Sequence, residues 1–322
     1  NSHGNGIPDR EGITYETAFV GPAMRNNPRL EYIPSRLSLL PVLIRNFYRP
    51  DVVLLHTSQP RFDTVSLGTE VNILPRAIET ARAHGGLVIA QSNKQMPYTY
   101  GDAQIYESEI DYLVEVDEPL QEKPLSPVTD IQSEIGDRIA SLISDNSTLQ
   151  LGIGGVPDAV LLALKQRKGL RIWTEMFSDG LLELIEAGVV TNKYKTVLPG
   201  KIAVSFVLGT KRVYDFVHEN ENVEFHPCDY INDPYIISQN KKMVAINSAI
   251  EVDLTGQVAA DCIGSRLYSG FGGQVDFMRG TARSPGGKPI IALPSTAKNG
   301  SISKIVASLT PGAGVVTGRA DV

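Results

Sequence analysis

Apolar positions along the chain fall into short runs, and stretches of helical period lie between them. Asp51–His56 (DVVLLH) is a continuous apolar run between Pro50 and a Thr-Ser-Gln-Pro turn. That pattern predicts a buried parallel strand rather than a half-exposed one. After Ser66-Leu67-Gly68-Thr69 come a helix near 73–83, a second buried strand at Leu87–Ala90, and a third at Tyr112–Val116. Ile131–Ile143 reads as a helix with Ile135, Ile139, Leu142 and Ile143 on one face. Strands are predicted at Thr148–Leu151 and Leu170–Trp173, then a helix over 180–187 that stops at Gly188, a residue suited to a left-handed helix end. Ile202–Leu208 and Met243–Leu254 are strand-like, and Thr255-Gly256 turns the latter into Gln257–Ala260. A glycine cluster over 269–280 precedes a last apolar strand, Pro289–Pro294.

Strands alternating with helices predict an open α/β sheet. Residues 117–130 (DEPLQEKPLSPVTD) carry three prolines and four acids and read as a linker. The predicted organisation is therefore a first domain over 1–119, a linker over 120–130 and a second domain over 131–322. Both halves show the same strand–helix habit, which suggests two similar domains.

The stretch 148–180 concentrates the chemistry. Its first strand breaks into a glycine-rich turn at Gly152, Gly154 and Gly155, and Pro157 and Asp158 open the helix that follows. Proline suits a first helical turn, and an acid there complements the helix's positive end. The second strand runs into Thr174-Glu175-Met176-Phe177-Ser178-Asp179-Gly180. A carboxylate at the end of a buried strand, beside turns rich in backbone N–H groups, suits acyl transfer. The turns at 152–155 and 270–273 can supply donors where negative charge develops on a carbonyl oxygen. An ionised carboxylate attacks a thioester without a general base, and His56, His84, His218 and His226 each stand isolated. The plain alternative for Glu175 is an acid that caps or salt-bridges its own turn.

Other candidates rank lower. GIGGVP (152–157) resembles a dinucleotide-binding turn only loosely, because the final glycine is missing. Glu251 and Asp253 share one strand face before a tight turn, where acids usually bond to the turn or to water. Gly270, Gly272 and Gly273, with Gln274 and Asp276, let backbone approach a ligand. Arg279, Arg283 and Lys288 add positive charge, so the segment reads either as a phosphate- and thioester-binding rim or as a glycine-rich strand turn.

With 42% hydrophobic residues in 322 there is material for a sizeable core, and the net charge of −6 argues against a nucleic-acid surface. No apolar run reaches the roughly 18 residues of a membrane span. Cys228 and Cys262 are too few for a disulfide scaffold and lack zinc-ligand spacing, so both are expected to be buried thiols in a reducing compartment. Residues 1–12 read as a ragged beginning.

Several ordered segments resemble the acetyl-CoA hydrolase/transferase family, in particular the 4-hydroxybutyrate branch of class I CoA-transferases. They are MPYTYGD (96–102), SEID (108–111), LQLGIGGVPDAVL (149–161), TEMFSDGLLELIEAGVV (174–190) and GTKRVYDF (209–216). INSAIEVDLTGQV (246–258), SGFGGQVDFMRG (269–280), PSTAKNGSISKIV (294–306) and VVTGRADV (315–322) complete the set. The resemblance implies two tandem open α/β CoA-transferase-like (NagB/RpiA-like) domains with the active site between them. It implies that Glu175 forms an acyl-anhydride and then a glutamyl-CoA thioester in a ping-pong cycle. Oxyanion donors would come from Leu151, Gly152, Gly154, Gly155, Gly270 and Gly272. CoA contacts would come from Gly272, Gly273, Gln274, Arg279 and Lys288. Coenzyme A would be a substrate, with no tightly bound cofactor and no metal. Trp173 and Tyr106 stand where relatives often carry His, and are expected to line or support the acyl pocket. Set against the resemblance, the chain is expected to start inside the family's first domain and to end before a C-terminal segment of its relatives. The expected partners are an acyl-CoA and a carboxylate, without nucleic acid or membrane. A homo-oligomer is expected, in the cytoplasm or the mitochondrial matrix. The function implied is acyl-CoA:carboxylate CoA-transfer, the alternatives being acyl-CoA hydrolysis or non-catalytic CoA or metabolite binding.

Overall fold

Two parallel sheets carry the α/β architecture of the computed structural model, which describes residues 10–152, 154–319 and 321. The first sheet has Leu87–Asn93 at its centre, flanked by Val52–Thr57 and Tyr112–Val116. Helix Leu74–Ala83 connects the first two strands and packs on one face through Ala77, Ile78 and Ala81. The second sheet runs in the order Arg171–Ile172, Thr148–Leu151, Met243–Asn247, Lys288–Ile291, all parallel. Its two central strands are buried at every position, as a parallel sheet covered on both sides requires.

The first sheet departs from the sequence reading. Val52–Thr57 alternates between exposed and buried, and Leu54 is 73% exposed while Leu55 is 4% exposed. Leu87, Tyr112 and Val114 are exposed as well. An apolar run reports that a strand can be buried on both faces; whether a second layer covers it depends on segments elsewhere.

Short strands stitch the two parts of the chain together. Ile202–Val204, Val223–Phe225 and Tyr100–Gly101 form one parallel sheet, so a strand from the first third joins two from the second half, pairing with Val223–Phe225. Gly101 has φ +85°, and a Cβ there would lie 2.6 Å from the Phe225 carbonyl, so only glycine fits this junction. The run 202–208 is two strands, broken at Ser205, because Phe206–Val207 turns away to pair with Met176–Phe177. Met243–Leu254 also splits, into Met243–Asn247 and Glu251–Asp253, the latter pairing with Val258–Ala259 and Ile305–Val306. Residues 117–129 form no regular element but bond to 209–214, where Lys123 N–H reaches the Gly209 carbonyl and the Tyr214 hydroxyl the Gln121 carbonyl. One apolar cluster joins Leu55 and Val88 of the first sheet to Leu149 and Ile172 of the second. No helix among the described residues is long and apolar enough to cross a membrane.

Candidate active site

In parallel sheets the carboxyl ends of the strands are where side chains converge on a crevice. Glu175 stands three residues beyond Ile172, at that end of the second sheet. Its backbone is fixed on one side, since the Ser205 and Phe206 N–H groups both donate to the Glu175 carbonyl, at 2.9 and 3.0 Å. Its carboxylate is fixed on the other, where Asn232 Nδ2 donates to Oε2 at 2.8 Å. Asn232 is fully buried and closes the helix Cys228–Ile231, so its amide has little freedom.

Gly273 completes the seat. A Cβ at Gly273 would lie 2.0 Å from Glu175 Oε2 and 2.2 Å from Asn232 Nδ2. The absent side chain is what lets the carboxylate rest against the start of helix Gln274–Arg283, of which Gly273 is the N-cap. First-turn amides of such a helix have no intrahelical acceptor and favour negative charge beside them.

Glu175 is partly buried, and desolvation pushes its pKa up to about 7; the Asn232 hydrogen bond pulls the other way, and the charge of Asp276 adds to the rise. Asp276 is itself fully buried, accepting from Ser38 N–H at 3.1 Å and Ser38 Oγ at 2.7 Å with Arg36 at 3.5 Å. Burial raises it to about 6 despite these partners. Residues 36–38 thus dock onto the same helix that seats Glu175. Beside them a cavity of about 480 Å³ is lined by Arg36, Phe271, Val275 and Arg279.

The comparisons with known proteins bear on this arrangement. The acetyl-CoA hydrolase/transferase C-terminal domain matches residues 209–322. A 4-hydroxybutyrate coenzyme A transferase of Clostridium kluyveri is 46% identical over 328 residues, covering 99% of this chain and 76% of the relative. The chain belongs to the acetyl-CoA hydrolase/transferase family. It is an enzyme of the CoA-transferase kind. A succinyl-CoA:acetate/propanoyl-CoA:succinate CoA transferase of Fasciola hepatica is 45% identical, over 98% of this chain and 66% of that protein. Among solved structures, a 4-hydroxybutyrate CoA-transferase from Porphyromonas gingivalis superposes with a TM-score of 0.80 at 42% identity, over 91% of this chain and 70% of that one. RipA from Yersinia pestis gives 0.86 at 33% identity, over 94% and 70%.

Set against the acetyl-CoA hydrolase/transferase family expectations, the glycine turns act differently from the sequence reading. Gly152 N–H is taken by the Ile246 carbonyl at 2.8 Å, which removes it as an oxyanion donor. Leu151 is a buried strand residue paired with Ile246. Gly154, with φ +113°, and Gly155 open helix Gly155–Ala163, two residues before the predicted start; a Cβ at Gly155 would strike the Gln132 side chain. Ile153 lies outside the described residues. Gly270 and Gly272 pack against Phe19, and the Gly272 carbonyl accepts from Leu37 N–H. The second glycine cluster is a helix start rather than a strand turn, and Gly273 is its member at the carboxylate.

Of the expected CoA contacts, Arg279 borders the cavity and pairs with Asp321 at 2.7 Å, and Gln274 is buried with its amide on the Ser248 carbonyl. Lys288 is at the amino end of its strand, opposite Val244, with its ammonium on the Leu142 carbonyl. It stands at the strand end opposite the carboxyl ends that form the cleft. Asp253 is saturated by its own turn, accepting from Thr255 and Gln257, which holds it well below the usual carboxylate range.

Trp173 is fully buried and its indole N–H donates to the Ile231 carbonyl at 2.9 Å, bracing the residue before Asn232. Tyr106 lines a different cleft, with Arg76, Arg82 and Asp102. His226 is not isolated, since it stands between Asp102 at 2.9 Å and Glu224 at 3.3 Å. Cys228 and Cys262 are free and buried, and burial raises the Cys228 thiol further above its ordinary value. Asn232 went unnoticed in the sequence because an asparagine after a short helix is indistinguishable from an ordinary cap.

Proposed function

We propose that the protein is an acyl-CoA:carboxylate CoA-transferase working through covalent intermediates on Glu175. The observation that carries this is the seat of the carboxylate: held at 2.8 Å by a buried amide, against a helix start with no room for a β-carbon. One Glu175 oxygen attacks the thioester carbonyl, the carbonyl's π pair collects on oxygen, and collapse expels CoA thiolate and leaves a mixed anhydride. The thiolate then attacks the glutamyl carbonyl, releasing the free acid and leaving a glutamyl-CoA thioester. An incoming carboxylate reverses the two steps with a different acyl group.

The attacking group must be ionised, and a pKa of about 7 leaves roughly half of it so at neutral pH. Desolvation makes the ionised fraction a stronger nucleophile than a hydrated carboxylate, while the first-turn amides of Gln274–Arg283 face charge developing on oxygen. Arg36 and Arg279 suit the phosphates of CoA, whose remote contacts can offset the strain of reaching the anhydride. The reading takes the two strand systems as tandem CoA-transferase-like domains, 1–119 and 131–322, joined by 120–130.

Incubation with acyl-CoA alone, then borohydride, should convert Glu175 to its reduced alcohol, read by peptide mass spectrometry. An unmodified Glu175 peptide from enzyme that exchanges labelled acid into acyl-CoA would sink the covalent route. CoA release that does not depend on added acetate would instead assign hydrolysis.

A further inference from the structure

We propose that Glu70 lines the acyl side of the cleft and selects acyl groups bearing a hydroxyl over those ending in a carboxylate. This rests on the transferase reading above and concerns which acyl group it takes.

Thr69–Val71 runs alongside Ser205–Val207. Val207 N–H donates to the Thr69 carbonyl at 2.9 Å, Val71 N–H to the Ser205 carbonyl at 3.0 Å, and Glu70 is bridged to Phe206. Ser205 and Phe206 are the residues whose N–H groups hold the Glu175 carbonyl. Glu70 and Glu175 therefore hang from one piece of backbone. A second frame joins them as well. Asn72, two residues beyond Glu70, accepts with its carbonyl from Cys228 N–H at 2.8 Å. Cys228 starts the helix whose closing residue, Asn232, holds Glu175. Burial pushes Glu70 up to about 7 and the charge of Glu175 adds to the rise, while the Cys228 thiol, raised chiefly by burial, also feels Asp229, Glu175, Glu70 and Asp276. Glu70 still reaches solvent, as a side chain lining an open cleft must.

The flanks of Glu175 are unlike. Beyond Asp276 lies the cavity with Arg36 and Arg279, the side that fits phosphates. Beyond Ser205–Phe206 lies Glu70, the side left for the acyl chain. A carboxylate there accepts a hydroxyl proton in a charge-assisted hydrogen bond. The same carboxylate repels a dicarboxylic acyl group, for which Arg36, on the opposite flank beside Asp276, offers no relief. A site built to bond a hydroxyl discriminates strongly against its absence, because its own polar group is left without a partner.

The test is kcat/KM for 4-hydroxybutyryl-, butyryl- and succinyl-CoA with acetate as acceptor, in wild type, Glu70→Gln and Glu70→Val. Wild type should favour hydroxybutyryl over butyryl. Glu70→Val should lower that ratio by roughly tenfold or more and raise succinyl relative to butyryl. Glu70→Gln, which keeps an acceptor without the charge, should gain on succinyl and keep most of the hydroxyl preference. Each ratio is internal to one variant, so partial misfolding, which lowers all three rates, does not move it. Ratios unchanged by both substitutions in active enzyme overturn the assignment to Glu70 alone. A wild type that transfers none of the three overturns the transferase reading, and this inference with it.

Discussion

The proposed attack on a thioester needs a charged carboxylate, and Glu175 sits where charge is costly. Burial and the nearby Asp276 both favour its protonated form, against one hydrogen bond from Asn232. The folded pKa, about 7, stands above the ordinary 4.5. The folded state therefore binds this proton more tightly than the unfolded chain does. The associated stability is fully present below about pH 4.5 and is lost as pH rises through about 7. Glu175→Gln keeps an acceptor for Asn232 and removes the ionisation. The variant should gain on the order of 1–3 kcal/mol over wild type at pH 8, and much less at pH 5. Urea midpoints at the two pH values measure this. An equal gain at both would mean that packing, not charge, sets the difference. A residue whose removal stabilises the fold is the signature of a site kept for chemistry rather than for folding.

At the scale of elements, the first sheet shows what a hydrophobic pattern does and does not encode. Leu54 and Leu55 are adjacent leucines in one strand, one exposed and one in the core. Leu55→Ala should cost about 2–4 kcal/mol by opening a cavity, whereas Leu54→Ala should cost under about 1 kcal/mol. Chemical denaturation of the two variants decides it, and equal costs would mean that the outer face is covered in solution. Strand and helix order was legible from residues 51–90 and 148–188, because each element's period, caps and breakers lie within its own residues. Gly188, for example, ends its helix with φ +71° as its position suggested. Coverage was not legible, since it depends on a layer supplied from elsewhere. The same division holds in the site. Glu175 announces itself as an acid just past a buried strand, but Gly152 looks like a donor until the Ile246 carbonyl is seen to occupy it. Asn232 meets Glu175, and Glu70 meets Phe206, only through tertiary contacts.

At the scale of the whole molecule, the cleft belongs to neither half of the chain. Residues 36–38 dock on the helix that seats Glu175, residues 69–71 run beside 205–207, and Tyr100–Gly101 completes a sheet with Val223–Phe225. Losing either half should dismantle the seat, so the site and the fold should be lost together. Thermal unfolding followed by tryptophan fluorescence should report that event directly. Trp173, the lone tryptophan, is buried and donates to the carbonyl of Ile231, the residue before Asn232. Its transition should coincide with that of far-ultraviolet circular dichroism, which reports all the helices. CoA at a hundred times its Kd should move both together, by the free-energy equivalent of about 2.7 kcal/mol. Glu175→Gln should retain this shift, because the cavity beside Arg36 and Arg279 does not include the Glu175 carboxylate. Arg279→Ala should reduce it. Two separated transitions, with only the fluorescence one responding to CoA, would mean that the halves unfold independently and that the strands joining them add little cooperativity.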